Sequence, residues 1–258
     1  FCLFSGGGLD FITVQLEYDE AANSAVLAWA NSLLQTYAQR RAIVVSHYIG
    51  KPGTPAALGS QGSAIYSALK ATGLLQQLLK QGYHFVFVSN VDNLGATVDR
   101  TVFDWFVQQQ LDFAMEVTHR TDQDRKGGHL ARRKDSGRLT LREVAQCPPD
   151  QLSRFEDISR YRFFNTNNLW INLKTLESLE SSPQLPLIVN RKTVNPADRG
   201  STPVVQLESA MGAAITTFAN SQALEVDRSR FAPVKTTTDL VRLSSDLYQL
   251  DSEYQLKF

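Results

Sequence analysis

Two cysteines in 258 residues, Cys2 and Cys147, are too few and too far apart for a disulfide framework, and such sparing use of thiols fits a reducing, cytoplasmic setting. Charge of one sign is equally lacking. Against 26 Lys and Arg stand 26 Asp and Glu, so the chain has no net field to draw it onto nucleic acid. No apolar run reaches the ~18 residues that would suggest a membrane-spanning helix, so no membrane insertion is expected. The chain opens on Phe1, with neither a methionine nor a signal-peptide pattern; the true N-terminus is expected to lie upstream, and targeting is not legible. Internal repeats and low-complexity segments are missing too. What is present is a 43% hydrophobic composition, enough for one sizeable core.

Residues 1–70 and 71–258 read differently and are expected to form two units. The first offers a strand over 11–18 and a helix over 21–38, with Val26, Leu27, Trp29, Leu33, Leu34 and Tyr37 near helical spacing. A strand over 42–46 and a Gly/Pro-rich loop over 50–62 complete a βαβ-like unit. In the second, a helix over 74–81 precedes a strand over 83–88, a helix over 97–111 and a strand over 113–118. A β-ribbon of 128–133 and 138–146 turns at Lys134-Asp-Ser-Gly137. A strand over 163–173 leads to a short helix near 174–181. The stripe of Leu207, Met211, Ala214 and Ile215 predicts a helix over 206–218, opened by Glu208. The alternation of strands and helices points to an α/β, Rossmann-like mixed sheet.

Chemistry gathers at three places. The apolar run 83–88 continues as Ser89-Asn-Val-Asp92-Asn-Leu-Gly, which carries Asp92 beyond the carboxyl end of a strand, where open α/β sheets bind ligands. A lone carboxylate there can hold Mg²⁺ over the phosphates of a nucleotide. The same residues also suit an Asx-rich turn that opens the next helix. Asn165-Thr-Asn-Asn168 is a polar insert between Phe163-Phe164 and Leu169-Trp170. A buried amide without a partner costs about 1–3 kcal/mol, so these side chains serve either a ligand or a structural ladder. Lys235 lies between the apolar 231–234 and an N-cap expected at Thr237 or Thr238, a strand-to-helix junction suited to phosphate. Arg228 and Arg230 either support it or act as an ordinary edge pair.

The order Asn90-Val-Asp92-Asn-Leu-Gly-Ala, Lys126-Gly-Gly128, Leu141-Arg-Glu143-Val-Ala-Gln146, Phe164-Asn-Thr-Asn-Asn-Leu-Trp-Ile-Asn172, Leu207-Glu-Ser-Ala-Met-Gly-Ala-Ala-Ile215 and Arg228-Ser-Arg-Phe-Ala-Pro-Val-Lys-Thr-Thr-Thr-Asp-Leu240 resembles the eukaryote-type UDP-glucose pyrophosphorylases. The likeness runs from about Gly73 to Leu250. It implies a GT-A-like nucleotidyltransferase sheet and transfer from UTP to glucose 1-phosphate, giving UDP-glucose and pyrophosphate. It also implies roles. Asp92 holds Mg²⁺, and Lys235 contacts the phosphates during transfer. Asn90 bonds ribose or sugar hydroxyls, and Asn165, Thr166 and Asn167 help bind the sugar. Glu143 orients glucose hydroxyls, and Gly127 and Gly128 allow the backbone to approach the sugar closely.

The chain also departs from that family. Its members open with a Gly-rich nucleotide loop of the Leu-Asn-Gly-Gly-Leu-Gly-Thr kind, whereas Ser5-Gly-Gly-Gly-Leu9 leads into Asp10 and a strand-like run. Gly59-Ser-Gln-Gly-Ser63 stands where a Gly-His-Gly-Asp signature is expected, and the chain stops before the family's C-terminal β-helix region. The catalytic region is therefore expected to be incomplete at both ends and impaired in turnover, the alternative being a non-catalytic sugar-nucleotide-binding protein. Residues 11–72 resemble the later part of calcineurin-like metallophosphoesterases, with a helix rich in Ala-Trp-Ala and a strand ending in Val-Ser-His. That resemblance implies His47 as a metal ligand and a fusion of two family fragments; without the other ligand motifs, His47 reads rather as a polar residue at a strand end.

Overall fold

A computed structural model of the chain describes residues 2–6, 9–16, 24–37, 39, 41–46, 64–193, 198, 200–251 and 256–257. In chain order the elements are β1 (Cys2–Gly6), β2 (Leu9–Leu16), α1 (Ser24–Thr36), β3 (Arg41–Ser46), α2 (Ala64–Ala71), α3 (Leu74–Lys80), β4 (Phe85–Val88), α4 (Arg100–Gln108) and β5 (Phe113–His119). They continue as β6 (His129–Arg132), β7 (Leu139–Arg142), α5 (Leu152–Phe155), β8 (Phe163–Asn172), α6 (Leu173–Ser178), β9 (Leu187–Thr193), β10 (Pro203–Ser209), β11 (Ser221–Glu225) and α7 (Thr237–Leu243). No helix among the described residues is long and apolar enough to cross a membrane.

The N-terminal elements form a three-stranded sheet in the order β1-β2-β3. Strands β2 and β3 are parallel and joined through α1, which is the βαβ unit that the spacing predicts. β1 is antiparallel to β2, with Gly6 opposite Leu9. Ser5 and Gly6 end β1 and Leu9 opens β2, so a strand and not a phosphate-facing helix follows the Gly-rich stretch. His47 and the loop expected over 50–62 lie outside the described residues.

The main sheet has the order β11-β5-β8-β6-β7, with β4 also paired to β8. It is mixed: β11 runs parallel to β5, while β8 is antiparallel to β4, β5 and β6. Strand β5 is buried from Phe113 to Thr118, as a central strand with both faces covered must be. One face carries Phe113, Met115, Val117, Leu169 and Ile171, which pack with Tyr66 of α2, Leu75 of α3 and Ile215. The other carries Ala114 and Trp170 against Val102 and Phe106 of α4. Each large side chain buried this way contributes about 1.5–3 kcal/mol. Helix α4 starts where it does because the Asp99 carboxylate caps the N–H groups of Thr101 and Val102, three residues later than the spacing predicts.

Residues 206–218 do not form the expected helix. Residues 203–209 are β10, paired antiparallel with β9 from Pro203↔Thr193 to Ser209↔Leu187, and only Met211–Thr216 coil, as a 3₁₀ turn. Glu208 thus lies in a strand and opens no helix. Leu207 of the apolar stripe lies in β10 and the rest of the stripe in the 3₁₀ segment, where Gly212, Ala214 and Ile215 are buried. The state of β10 (Pro-Val-Val-Gln-Leu-Glu-Ser) is set by its ladder to β9, the strand just before it in the chain, which the helical spacing of Leu207, Met211, Ala214 and Ile215 does not register.

Candidate functional site

Strand pairing is interrupted at one point, and the site is built around that interruption. Met115 faces Leu169 and Val117 faces Asn165, so Glu116 alone on β5 stands opposite Thr166, Asn167 and Asn168 on β8. Such a bulge needs a residue tolerant of left-handed backbone, and Asn167 supplies it at φ 63°. Glu116 is fully buried, yet both carboxylate oxygens are used twice. Arg230 donates through Nε and Nη2, each at 2.7 Å, and Asn168 Nδ2 and Trp170 Nε1 donate at 2.9 Å each. A buried ion pair is tolerable only with this degree of compensation. The guanidinium is 11% exposed; its Nη2 also donates to the Thr97 carbonyl and its Nη1 to the Thr97 hydroxyl.

Asn93 extends the knot to the strand-end loop. Its Oδ1 accepts from the N–H groups of Ala232 (2.8 Å) and Gly95 (3.2 Å), and its Nδ2 donates to the Arg230 carbonyl (3.0 Å) and Asn168 Oδ1 (3.2 Å). That is the full capacity of an amide side chain. Gly95 has to be glycine because a Cβ would sit 2.1 Å from the Ser229 carbonyl oxygen. The segments around 93 and 232 consequently lie together as a short antiparallel bridge. The Leu94 N–H reaches the Ala232 carbonyl at 3.1 Å, and the Val234 N–H reaches the Asp92 carbonyl at 2.8 Å.

Lys235 thus follows directly on a residue hydrogen-bonded to Asp92, and the two segments read as functional from sequence are brought together. The Asp92 carboxylate is half-buried and the Lys235 ammonium exposed; among the described residues neither has a hydrogen-bond or ion-pair partner. The helix after Lys235 is capped by Thr236, one residue earlier than expected, in a capping box with Asp239 whose carboxylate also accepts the Lys235 N–H at 3.1 Å.

A ladder of amides leads from Asn90, two residues before Asp92, across the sheet. Asn167 Nδ2 donates to Asn90 Oδ1 (3.1 Å), Asn165 Nδ2 to Asn167 Oδ1 (3.3 Å), and the Asn165 N–H to the Gly128 carbonyl (3.0 Å). A Cβ on Gly128 would fall 2.3 Å from a Glu143 carboxylate oxygen, and one on Gly127 would enter the Phe164 ring. The glycine pair therefore makes room for these side chains. Asn90, Asn167, Asn165, Gly128 and Glu143 are thus joined in one run of contacts. Thr166 does not share it. With no exposed surface, and its hydroxyl given to the Glu116 carbonyl at 2.7 Å, it holds the bulge and is not placed to touch a substrate.

The arginine pair also resolves. Arg228 and Arg230 sit in a 3₁₀ turn, on no strand edge, and each is committed to its own carboxylate. Arg228 bonds Asp124 at 2.8 and 3.2 Å. Burial works against the charge on Asp124, but bonds from Arg228 and Thr121 outweigh it and hold the carboxyl below the usual range. Behind it, Arg120 donates to the carbonyls of Asp124, Arg125, Phe155 and Tyr161. His129 is fully buried against Phe155 and Tyr161, and burial together with Arg120 and Arg142 pushes its pKa down to about 3. Sequence reasoning missed Glu116, Asn93, Asp124 and His129. A glutamate in the middle of Phe113-Ala-Met-Glu-Val-Thr is the one signal that could have exposed the knot.

Known proteins with this arrangement place it. The profile of the family described as UTP–glucose-1-phosphate uridylyltransferase matches residues 56–258. The chain belongs to that family. UTP–glucose-1-phosphate uridylyltransferases of Hordeum vulgare and Encephalitozoon cuniculi are 41% and 44% identical to it over 75% and 72% of its length. A point mutant of UDP-glucose pyrophosphorylase from Leishmania major, solved in complex with UDP-glucose, is 39% identical with a TM-score of 0.71 over 95% of the chain. This uridylyltransferase-family chain spans 40% and 37% of the two curated relatives and 57% of the Leishmania chain. A structural match over 95% of the chain takes in most of residues 11–72, and nothing matched points to a metallophosphoesterase there. The two-family reading, with the ligand role of His47, is withdrawn.

Proposed function

We propose that residues 71–258 carry the transfer site of a UTP–glucose-1-phosphate uridylyltransferase, in which an oxygen of glucose 1-phosphate attacks the α-phosphorus of UTP and pyrophosphate leaves. One observation carries the reading: Asp92 and Lys235, opposite charges left unpartnered by the described protein, stand on two segments bonded to each other at a strand end. The neighbouring Glu116 and Arg230 neutralise each other, so these two charges are free for a charged ligand.

Among the described residues no cluster of three or more His, Cys, Asp or Glu could hold a metal ion by itself. A single half-buried carboxylate nevertheless fits Mg²⁺, which commonly takes one or two protein carboxylates and completes its shell with phosphate oxygens and water. Bound there, Mg²⁺ neutralises phosphate charge. Lys235 stabilises the negative charge that shifts toward the leaving pyrophosphate. Asn90, Asn165 and Asn167 orient sugar and ribose hydroxyls, and Glu143 accepts hydroxyl donors beside Gly128. Holding the two reactants in line is the larger part of catalysis, since no covalent intermediate is needed. The unpaired Cys147 thiol suits a cytoplasmic setting.

The test is release of pyrophosphate from UTP, glucose 1-phosphate and Mg²⁺. Release that is lost in Asp92→Ala supports the transferase. UDP-glucose binding that depends on Asp92 without any turnover would reduce the chain to a sugar-nucleotide-binding protein, and release unaffected by Asp92→Ala would refute the site.

A further inference from the structure

A second charged feature lies away from the transfer site. The β6–β7 ribbon and the segment 151–163 line an open depression of about 580 Å³ that carries Arg132, Lys134, Arg142, Arg154, Arg160 and Arg162. Arg133 also lines it, but is paired with Asp135. No lining residue is acidic, and among the described residues none of the other six cations forms a salt bridge. Asp157, close to Arg160 in the chain, is occupied by the N–H groups of Ser159 and Arg160 and the Ser159 hydroxyl.

Gathering like charges costs free energy, and a chain with no net charge has no general reason to do it. Three of the guanidiniums moreover rest on aromatic rings: Arg142 lies over Phe155 and Tyr161 at 5.5 and 5.1 Å, Arg160 over Tyr161 at 5.7 Å and Arg162 over Phe163 at 5.6 Å. Arginines held in this way present preformed forks that match phosphate oxygens. The volume lies within the ~300–1,000 Å³ of small-molecule sites. We propose that this depression binds a compact oligophosphate. None of Asn90, Asp92, Gly128, Glu143 or Lys235 lines it, so the site is separate from the one that carries transfer. Arg142 is nevertheless the chain neighbour of Glu143 and the ladder partner of His129, so an occupant is linked to the transfer site through β7.

Calorimetry with inorganic tripolyphosphate at about 0.1 M salt tests the proposal, since unspecific surface attraction is largely screened there. With Mg²⁺ left out, so that the transfer site lacks the ion through which it takes phosphate, saturable binding is expected with one ligand per chain. The double substitution Arg154→Gln and Arg160→Gln, both at exposed positions, is expected to weaken it by at least about tenfold. Arg100→Gln, an exposed charge outside the depression, and Lys235→Ala are expected to leave it unchanged. Absence of saturable binding, an equal loss in Arg100→Gln, or loss in Lys235→Ala would each overturn the assignment.

Discussion

Glu116 and Asp92 are carboxylates near the same end of the sheet, just beyond the level where Val88 and Met115 both face Leu169. Glu116 accepts four hydrogen bonds and has no exposed surface. Asp92 has none from the described residues and reaches solvent. The basic side chains repeat the contrast, Arg230 spent entirely on its neighbours and Lys235 unspent. Compensated charge fixes backbone geometry, here the pairing of the 92–94 and 232–234 segments. Uncompensated charge is what that geometry holds out for a ligand.

This contrast can be broken from either side. Glu116→Gln leaves the Arg230 guanidinium buried without its counter-charge and is expected to destabilise the fold by about 3–5 kcal/mol in denaturant titration. Lys235→Ala is expected to leave that titration unchanged and to lower kcat for pyrophosphate release by about 10²–10³-fold. If the two variants exchanged behaviours, the division of roles would be wrong.

Acid probes the buried side alone. With a folded pKa near 3, His129 binds its proton far more weakly than the unfolded chain does, so it contributes stability that is complete above pH ~6.5 and declines toward pH 3. Between pH 6.5 and 5 the loss is expected to be about 2 kcal/mol, and His129→Phe should flatten that slope. Asp124 adds a loss at lower pH, because its depressed carboxyl stabilises only while ionised.

The smallest effects sharpen the comparison at two glycines. Gly95→Ala drives a methyl group into backbone at Ser229 and Arg230, and about 1–3 kcal/mol of destabilisation is expected. Gly128→Ala meets only the movable end of Glu143, so stability should change by less than about 1 kcal/mol while UDP-glucose affinity falls. A larger stability loss in Gly128→Ala than in Gly95→Ala would contradict this order.

Much of this was legible beforehand, and what was not has physical causes. Helices α3 and α4 and strands β4, β5 and β8 followed from periodicity to within a few residues. The polar insert at 165–168 was recognisable because amides between Phe164 and Leu169 must find partners. The identity of those partners was hidden, since Glu116 and Arg230 are 114 residues apart. The β9–β10 pairing is local in the chain, and it was the helical spacing of Leu207 with Met211, Ala214 and Ile215 that led 206–209 to be read as the start of a helix. Thr166 looked like its neighbours in the motif. Only the bulge, which turns it inward while Asn165 and Asn167 bond Asn90 and Gly128, separates it from them.

The shared location of Asp92 and Lys235 is the claim on which the functional reading turns. Mn²⁺ added with UTP to protein carrying ¹³C-labelled lysine tests it directly, by paramagnetic broadening of the side-chain signal of Lys235. Strong broadening that disappears in Asp92→Ala is the predicted result; a Lys235 signal indifferent to the ion while UTP is bound would contradict the account.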